Sequence, residues 1–159
     1  MSKRMAMAAF LAVFFLVPAR YASAEDLAMQ TVRRYSNAFN AGDCETMYEL
    51  SSPAVLQPDP EKWHAMVCEA VPEWHQAGIR EKLGRVRGRL RDGNHELVIV
   101  HQKRLDKSDG VLKITDGDYF IHSDDGGVSW KVLDIGCVNE EWVRKVFPSY
   151  NGNPPVHPL

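Results

Sequence analysis

The chain has 159 residues, of which 45% are hydrophobic and 25% are charged, and its formal net charge is −2. This length and composition fit a single folded domain with one hydrophobic core. Nucleic-acid-binding proteins neutralise phosphates with an excess of lysine and arginine, so a net acidic chain argues against a nucleic-acid partner.

The N-terminus has the pattern of a secretory signal peptide. Lys3 and Arg4 precede an uncharged run over 5–17, and small residues lie at Ala22 and Ala24. A basic start, a short apolar segment and small residues at a cleavage site are typical of an export signal. We expect a signal peptide over 1–24, cleavage after Ala24, and a periplasmic or secreted protein with no membrane span.

Three cysteines, Cys44, Cys68 and Cys137, fall outside this leader. Thiols tend to pair in an oxidising compartment, so an odd number predicts one disulfide and one remaining thiol. The residues alone leave the choice of pair open. The pairing Cys44–Cys68 is favoured because both lie in the predicted helical half, where a bridge would join two helices.

The N-terminal half has helical periodicity. Apolar residues at Leu27, Val32, Tyr35 and Phe39 form one stripe along a helix over 27–40. Further helices are predicted over 44–50 and from 61 to about 71, with Pro72 kinking or restarting the third. A last helix follows the sheet, with Asn139 as its N-cap and Pro148 after its end.

From position 79 the periodicity changes from 3.6 to 2, which predicts β-strands. Four can be drawn, over 82–91, 95–105, 111–122 and 128–136. Helices followed by a strand meander indicate an α+β fold in which N-terminal helices pack on a curved antiparallel sheet of about four strands. An extra C-terminal helix completes the domain.

The last predicted hairpin has a recognisable turn. Ser123, Asp125, Gly127 and Trp130 match the Asp-box pattern, in which the acidic side chain caps the turn and the aromatic ring packs beneath it. A single copy of such a turn is interpreted as a folding device, because its residues stabilise the backbone of the hairpin.

Several of these segments resemble those of a known protein superfamily. The segment 35–43, YSNAFNAGD, then the segment 50–54, LSSPA, and the hairpin with Trp130, Lys131 and Val132 resemble the NTF2-like (SnoaL/ketosteroid-isomerase-like) superfamily, as a secreted bacterial member. The resemblance implies a cone-shaped half-barrel over 25–150, with a pocket between sheet and helices and a flexible tail over 151–159. It also implies the pairing Cys44–Cys68.

The resemblance does not fix an activity, because this fold hosts isomerases, dehydratases, binding modules and protein-interaction domains. Its enzymes use a carboxylate or a His/Asp pair that faces tyrosine donors in an apolar pocket. On that basis the pocket candidates are His101, Tyr119 and Asp134. Strand alternation places Asp134 with Trp130 and Val132. The alternative is that this face points outward there and that Asp134 is solvated or pairs with an arginine.

Arginines recur at every second position of the first predicted strand, at Arg85, Arg87, Arg89 and Arg91. At strand periodicity all four point to one side. Such a row is either a solvated, aggregation-resistant surface or a docking surface for an anionic partner.

Two functions remain open on these residues. The leading hypothesis is an exported non-catalytic binding domain that holds a small apolar molecule in the pocket or presents a surface to a protein partner, with the sheet as a candidate homodimer surface. The alternative is an acid–base enzyme of isomerase or dehydratase type, with Asp134 or His101 as the base and Tyr119 as the hydrogen-bond donor. No cofactor is expected, and no histidine pair has metal-ligand spacing.

Overall fold

A computed structural model of the protein describes residues 24–52, 59–107, 109–133 and 138–153. Three helices come first, followed by four strands and a last helix. Their bounds are α1 Ala24–Ala41, α2 Cys44–Leu50, α3 Pro60–Gln76, β1 Arg80–Asp92, β2 His95–Asp106, β3 Lys113–Ser123, β4 Lys131–Leu133 and α4 Glu140–Val146. Residues 1–23 of the predicted leader over 1–24 and residues 154–159 of the predicted tail over 151–159 lie outside the described residues.

Short polar side chains start three of the helices. The Asp43 carboxylate accepts the Thr46 backbone N–H at 3.1 Å ahead of α2. Asp59 does the same for α3, and Asn139 for α4. These side chains satisfy backbone donors that have no partner inside the helix. Pro72 lies within α3, which continues to Gln76, so the helix does not restart at this proline.

The four strands form one antiparallel sheet in the order β1-β2-β3-β4. Side chains alternate between its two faces, and both faces are apolar at its centre. Val98, Val100, Tyr119 and Ile121 pack in a core with α1, α2 and α3. The alternating positions, Leu97, Ile99 and Phe120, pack in a second core that contains Val143 of α4 and Phe147. The α+β architecture is therefore confirmed, and the C-terminal helix covers part of the opposite face of the sheet.

Bulges in β1 disperse the predicted arginine row. Leu83 pairs with Gln102, Val86 with Val100 and Gly88 with Ile99, so β1 holds two more residues than β2 between these points. Each extra residue breaks the alternation of side chains and bends the strand. The prediction that all four arginines share one side is therefore wrong.

The arginine contacts show the dispersal directly. Arg87 pairs at 2.9 Å with Asp118, which alternates with Tyr119 and so faces away from α1 to α3. Arg89 pairs with Glu25 at the start of α1, on the other face. Arg91 lies 3.5 Å from Glu96. Strand β1 therefore does not present Arg85, Arg87, Arg89 and Arg91 as one anion-docking surface.

The hairpin between β3 and β4 confirms the predicted turn device. The Asp125 carboxylate accepts the backbone N–H groups of Val128 and Ser129, at 3.0 and 2.9 Å. Trp130 is buried, and its indole N–H donates to the Gly127 carbonyl at 3.0 Å. The Ser129 hydroxyl, which also donates to this carboxylate, and then the backbone N–H groups lower the pKa of Asp125, which stays ionised and keeps accepting these hydrogen bonds.

A disulfide joins Cys44 at the start of α2 to Cys68 in α3. The predicted pairing is thus confirmed, while Cys137 lies outside the described residues. Within those residues, we find no helix with the length and apolar character that a bilayer crossing requires.

Candidate functional site

A cavity of about 310 Å³ lies between the three N-terminal helices and the sheet. Most of its wall is apolar, and α3 supplies about half of the side chains. The lining residues are Tyr35, Phe39, Met47, Trp63, Met66, Val67, Ala70, Val71, Trp74, Glu81, Arg104, Tyr119 and Leu133. A cavity of this size and character is within the range of small-molecule sites.

Three polar side chains meet on the sheet side of this cavity. The Arg104 guanidinium donates to one Glu81 carboxylate oxygen, from Nη2 at 2.9 Å and from Nε at 3.3 Å. The Tyr119 hydroxyl donates to the other oxygen of Glu81. The three residues come from β1, β2 and β3, so the pairing of the strands brings them together.

Burial sets the protonation behaviour of this group. The Glu81 side chain is 0% exposed, and loss of solvation raises the pKa of its carboxyl group, against the lowering effects of Tyr119 and Arg104. Burial and the adjacent Glu81 charge raise the pKa of Tyr119 well above its ordinary value. Tyr119 therefore remains a hydrogen-bond donor at neutral pH, and Glu81 accepts a proton more readily than an exposed glutamate.

Arg104 lies beside two adjacent aromatic rings at the edge of the cavity. Its guanidinium carbon lies 5.3 Å from the Phe39 ring centroid and 5.6 Å from that of Trp74. Both distances are within the range of cation–π attraction. The Arg104 side chain is 33% exposed, whereas that of Glu81 is fully enclosed. The cation is therefore the polar group that a molecule entering the cavity meets first.

Asn40, near the end of α1, holds the backbone of Glu81. Its side-chain oxygen accepts the Glu81 N–H at 2.7 Å, and its amide nitrogen donates to the Glu81 carbonyl at 2.9 Å. The backbone carbonyl of Asn40 lies 2.8 Å from Nδ1 of His75 in α3. This chain of contacts ties α1, α3 and β1 together at the position of the buried carboxylate.

The structure separates the three residues predicted for the pocket. Tyr119 lines the cavity. His101 lies on the opposite face of the sheet, since it alternates with Val100, and its ring nitrogens lie 3.1 Å from Asp116 and 3.7 Å from Asp118. Asp134 lies outside the described residues. The predicted convergence of His101 with Tyr119 in one cavity is therefore wrong.

Glu81 and Arg104 were missed by the sequence analysis. Strand β2 contains four apolar residues in succession, Leu97 to Val100, so its inward face could not be chosen from periodicity. The sequence did contain a signal for Arg104. It follows Val98 and Val100 by an even number of residues, and even spacing along a strand places side chains on the same face. Glu81 had no comparable signal, because it lies at the start of β1, before the bulges.

One cluster of potential metal ligands occurs among the described residues. Cys44, Glu45 and Cys68 place their ligand atoms within 4.8 Å of one another. Both sulfur atoms are committed to the disulfide, so they are not thiolates that could bind a metal. The cluster is better described as part of the bridge between α2 and α3.

Comparison with known proteins supports the fold and no more. No protein-family model matches the chain, and no curated protein matches it. An NTF2-like protein with a cystatin-like fold from Novosphingobium aromaticivorans has a TM-score of 0.51 and 12% identity, over 69% of this chain and 77% of that chain.

Two further solved structures are similar at lower TM-scores. A proposed dehydratase of the NTF2-like family from Streptomyces avermitilis has a TM-score of 0.48 and 16% identity, over 67% of this chain and 88% of that one. An uncharacterised cystatin-fold protein from Novosphingobium aromaticivorans has a TM-score of 0.40 and 16% identity, over 67% and 95%. Sequence identities this low do not indicate that this chain shares the activity of these proteins. The order of the helices and strands, the cavity between them and the similarity to the NTF2-like protein with a TM-score of 0.51 together show that the chain has the NTF2-like, cystatin-like fold.

Proposed function

We propose that the protein is a binding domain that holds a small, mainly apolar molecule in the cavity between its N-terminal helices and its sheet. The observation that carries this proposal is the cavity of about 310 Å³ with five aromatic side chains in its wall, from Tyr35, Phe39, Trp63, Trp74 and Tyr119. Aromatic and aliphatic walls with a few polar groups are typical of small-molecule sites.

The polar groups of the cavity favour binding of one polar end of such a molecule. Arg104 is partly exposed, while Glu81 and Tyr119 are buried behind it. The remainder of the wall is aromatic and aliphatic and offers mainly dispersion and hydrophobic contact. A ligand therefore has an apolar body and a single polar group that points towards the sheet.

Tryptophan fluorescence tests the proposal, because Trp63 and Trp74 lie in the cavity wall. A neutral planar probe, naphthalene-2-carboxamide, should change this fluorescence saturably, and Val67→Trp should abolish the response by filling the cavity. The matched variant Val111→Trp, at an exposed position outside the wall, should leave it intact. Equal binding by both variants would place the probe elsewhere and overturn the proposal.

Export is a second part of the proposal. It is supported by the basic and apolar leader over 1–24 and by the disulfide between Cys44 and Cys68, a bond that persists in oxidising compartments. N-terminal sequencing of the protein from its native host should read from Glu25. Recovery of a cytoplasmic protein that begins at Met1 would contradict export.

One observation favours a catalytic alternative in the same cavity. Burial raises the pKa of Glu81, and a carboxylate with this property next to a tyrosine donor can act as a general base. In this role Tyr119 and Arg104 would turn away from Glu81, and Tyr119 would donate to a substrate carbonyl oxygen. The freed Glu81 carboxylate would then take a proton from the carbon next to that carbonyl. Glu81 replaces Asp134 and His101 in the role of the base.

Proton exchange separates the two functions. An enzyme of this kind should exchange the α-protons of a bound ketone, such as 2-tetralone, for deuterium faster than buffer does, as measured by NMR. Glu81→Gln should abolish the acceleration and keep ketone binding. Binding without accelerated exchange in the wild-type protein would leave the non-catalytic function.

A further inference from the structure

We propose that the cavity is selective for a small aromatic monocarboxylate and that binding transfers one proton from solvent to Glu81. This inference rests on the proposed binding function and adds the chemical class of the ligand and a coupled proton. Its basis is the geometry of Arg104 and Glu81: a partly exposed cation lies in front of an enclosed carboxylate.

The relative exposure of the two groups selects an anion. Arg104 is 33% exposed and lines the cavity, whereas Glu81 is 0% exposed. Both oxygens of Glu81 are already engaged, one by Arg104 and the other by Tyr119. An amine would have to displace these donors to reach the carboxylate. A carboxylate meets the guanidinium directly, and a guanidinium binds carboxylates with matched geometry.

The walls around Arg104 select an aromatic body for that anion. The ring centroids of Phe39 and Trp74 lie 5.3 and 5.6 Å from the guanidinium carbon and 5.8 Å from each other, so both rings are on the same side of it. Both rings also line the cavity, so a carboxylate that binds the guanidinium from the cavity places its apolar part against aromatic rings. Planar rings bury area against these walls and lose little conformational entropy.

Proton uptake follows from the charge balance. Glu81 and Arg104 together are neutral, and a bound carboxylate adds a second negative charge beside one guanidinium. Two carboxylates that share a buried site do not both remain ionised. A proton from solvent adds to a Glu81 oxygen, Arg104 turns to the ligand, and the protonated Glu81 and Tyr119 remain hydrogen-bonded. The positive charge of Arg104 then balances the ligand carboxylate, and the protonated Glu81 is neutral.

Other charged or titratable groups lie near Glu81, and their contribution to proton uptake must be distinguished from that of Glu81. Arg104 faces it from β2, Tyr119 from β3 and Tyr35 from α1 through its ring contact with Tyr119. His75 of α3 reaches it through Asn40. Because the imidazole of His75 is also able to accept a proton, the Glu81→Gln variant is needed to assign the proton.

Calorimetry with a matched pair of probes tests the inference. The probes are 2-naphthoate, which is ionised above pH 6, and naphthalene-2-carboxamide, its neutral analogue. Titrations at pH 7 in two buffers of different ionisation enthalpy should show uptake of about one proton with naphthoate and none with the carboxamide. Naphthoate affinity should rise as pH falls from 8 to 6, by up to about tenfold per unit.

Variants assign the effect to the two residues. Glu81→Gln should remove the proton uptake and make naphthoate affinity independent of pH. Arg104→Gln should weaken naphthoate at least about tenfold and leave carboxamide affinity within about threefold. Arg144→Gln is the matched control, because Arg144 also pairs with a glutamate and lies over a tyrosine ring outside the cavity. It should change neither probe.

Failure of this inference is distinguishable from failure of the proposed function. Equal affinity for the two probes, without proton uptake, would overturn the carboxylate selectivity and keep the binding cavity. Uptake that persists in Glu81→Gln would overturn Glu81 as the acceptor. Absence of binding by both probes would overturn the binding function and the inference together.

Discussion

Asn40 hydrogen-bonds to both backbone groups of Glu81, accepting its N–H at 2.7 Å and donating to its carbonyl at 2.9 Å. The side-chain amide thus takes the place of a peptide group from a further strand at the edge of the sheet. Because β1 is an edge strand, its outward backbone groups otherwise have no ladder partner. Asn40 both closes this edge and places the Glu81 carboxylate in the cavity.

Replacement of Asn40 by alanine should therefore be costly. The change leaves two partly buried backbone groups without partners, and we expect a loss of about 1–3 kcal/mol in the free energy of unfolding. Urea denaturation measures it. Asn37→Ala is the control on the same helix, at an exposed position, and should change stability by less than about 0.5 kcal/mol. Equal losses for the two variants would contradict the role of Asn40.

The disulfide should stabilise the cavity wall. It connects α2 to α3 across a sequence separation of 24 residues, and α3 supplies much of the wall. Closing a loop of this length is worth about 3 kcal/mol in the chain-entropy model. The double variant Cys44→Ala/Cys68→Ala should lose about that much in urea denaturation. Reductant should destabilise the wild type and leave the double variant unchanged; a reductant effect on the variant would contradict this assignment.

A pair of histidines lies under the C-terminal helix. Nδ1 of His95 and Nε2 of His122 are 3.2 Å apart. The rings are nearly parallel with centroids 5.4 Å apart, a distance too long for face-to-face stacking, so the two nitrogens meet edge to edge. Phe147 and Trp142 pack on the His122 ring. The pair therefore shares one hydrogen, and protonating both rings breaks their hydrogen bond.

This pair predicts a loss of stability in mild acid. Burial, followed by the charge of His95, lowers the pKa of His122 below its ordinary value of 6.5. The unfolded chain then binds the proton more readily, so the stabilisation is complete above pH 6.5 and falls as pH drops through the lowered pKa. The melting temperature should decrease from pH 7.5 towards pH 5, and His122→Gln should reduce this pH dependence. His64→Gln, on an exposed ion pair, is the control; an equal effect of both variants would contradict the prediction.

Gly84 lies in the bulged part of β1, directly against His101. A Cβ atom at this position would lie 2.9 Å from Cδ2 of His101 and 3.2 Å from its carbonyl oxygen. Gly84→Ala should therefore destabilise the protein by about 1–3 kcal/mol through overpacking. Adding His101→Ala should recover part of the loss, because the side-chain clash is gone and the carbonyl contact remains. If the two changes in the free energy of unfolding are strictly additive in this double-mutant cycle, the two residues do not interact, and the prediction is contradicted.

Local patterns in the sequence determined much of the architecture. The helix predicted over 44–50 coincides with α2, because Asp43 caps it and the capping residue acts on its own next turn. The Asp125 turn and the N-cap Asn139 were predicted for the same reason. The bridge between Cys44 and Cys68 was predicted from the helical half and the family resemblance. Such features depend on neighbours within a few residues, or on a motif that a related fold repeats.

Tertiary structure alone decided the site. Glu81, Arg104 and Tyr119 come from three strands, and which of their faces is buried depends on pairing across the sheet. Two bulges in β1 broke the alternation that had placed four arginines on one side, and apolar residues on both faces of β2 concealed its inward side. The raised pKa of Glu81 likewise arises from desolvation. Burial and strand register are long-range properties, because residues far apart in the chain create them.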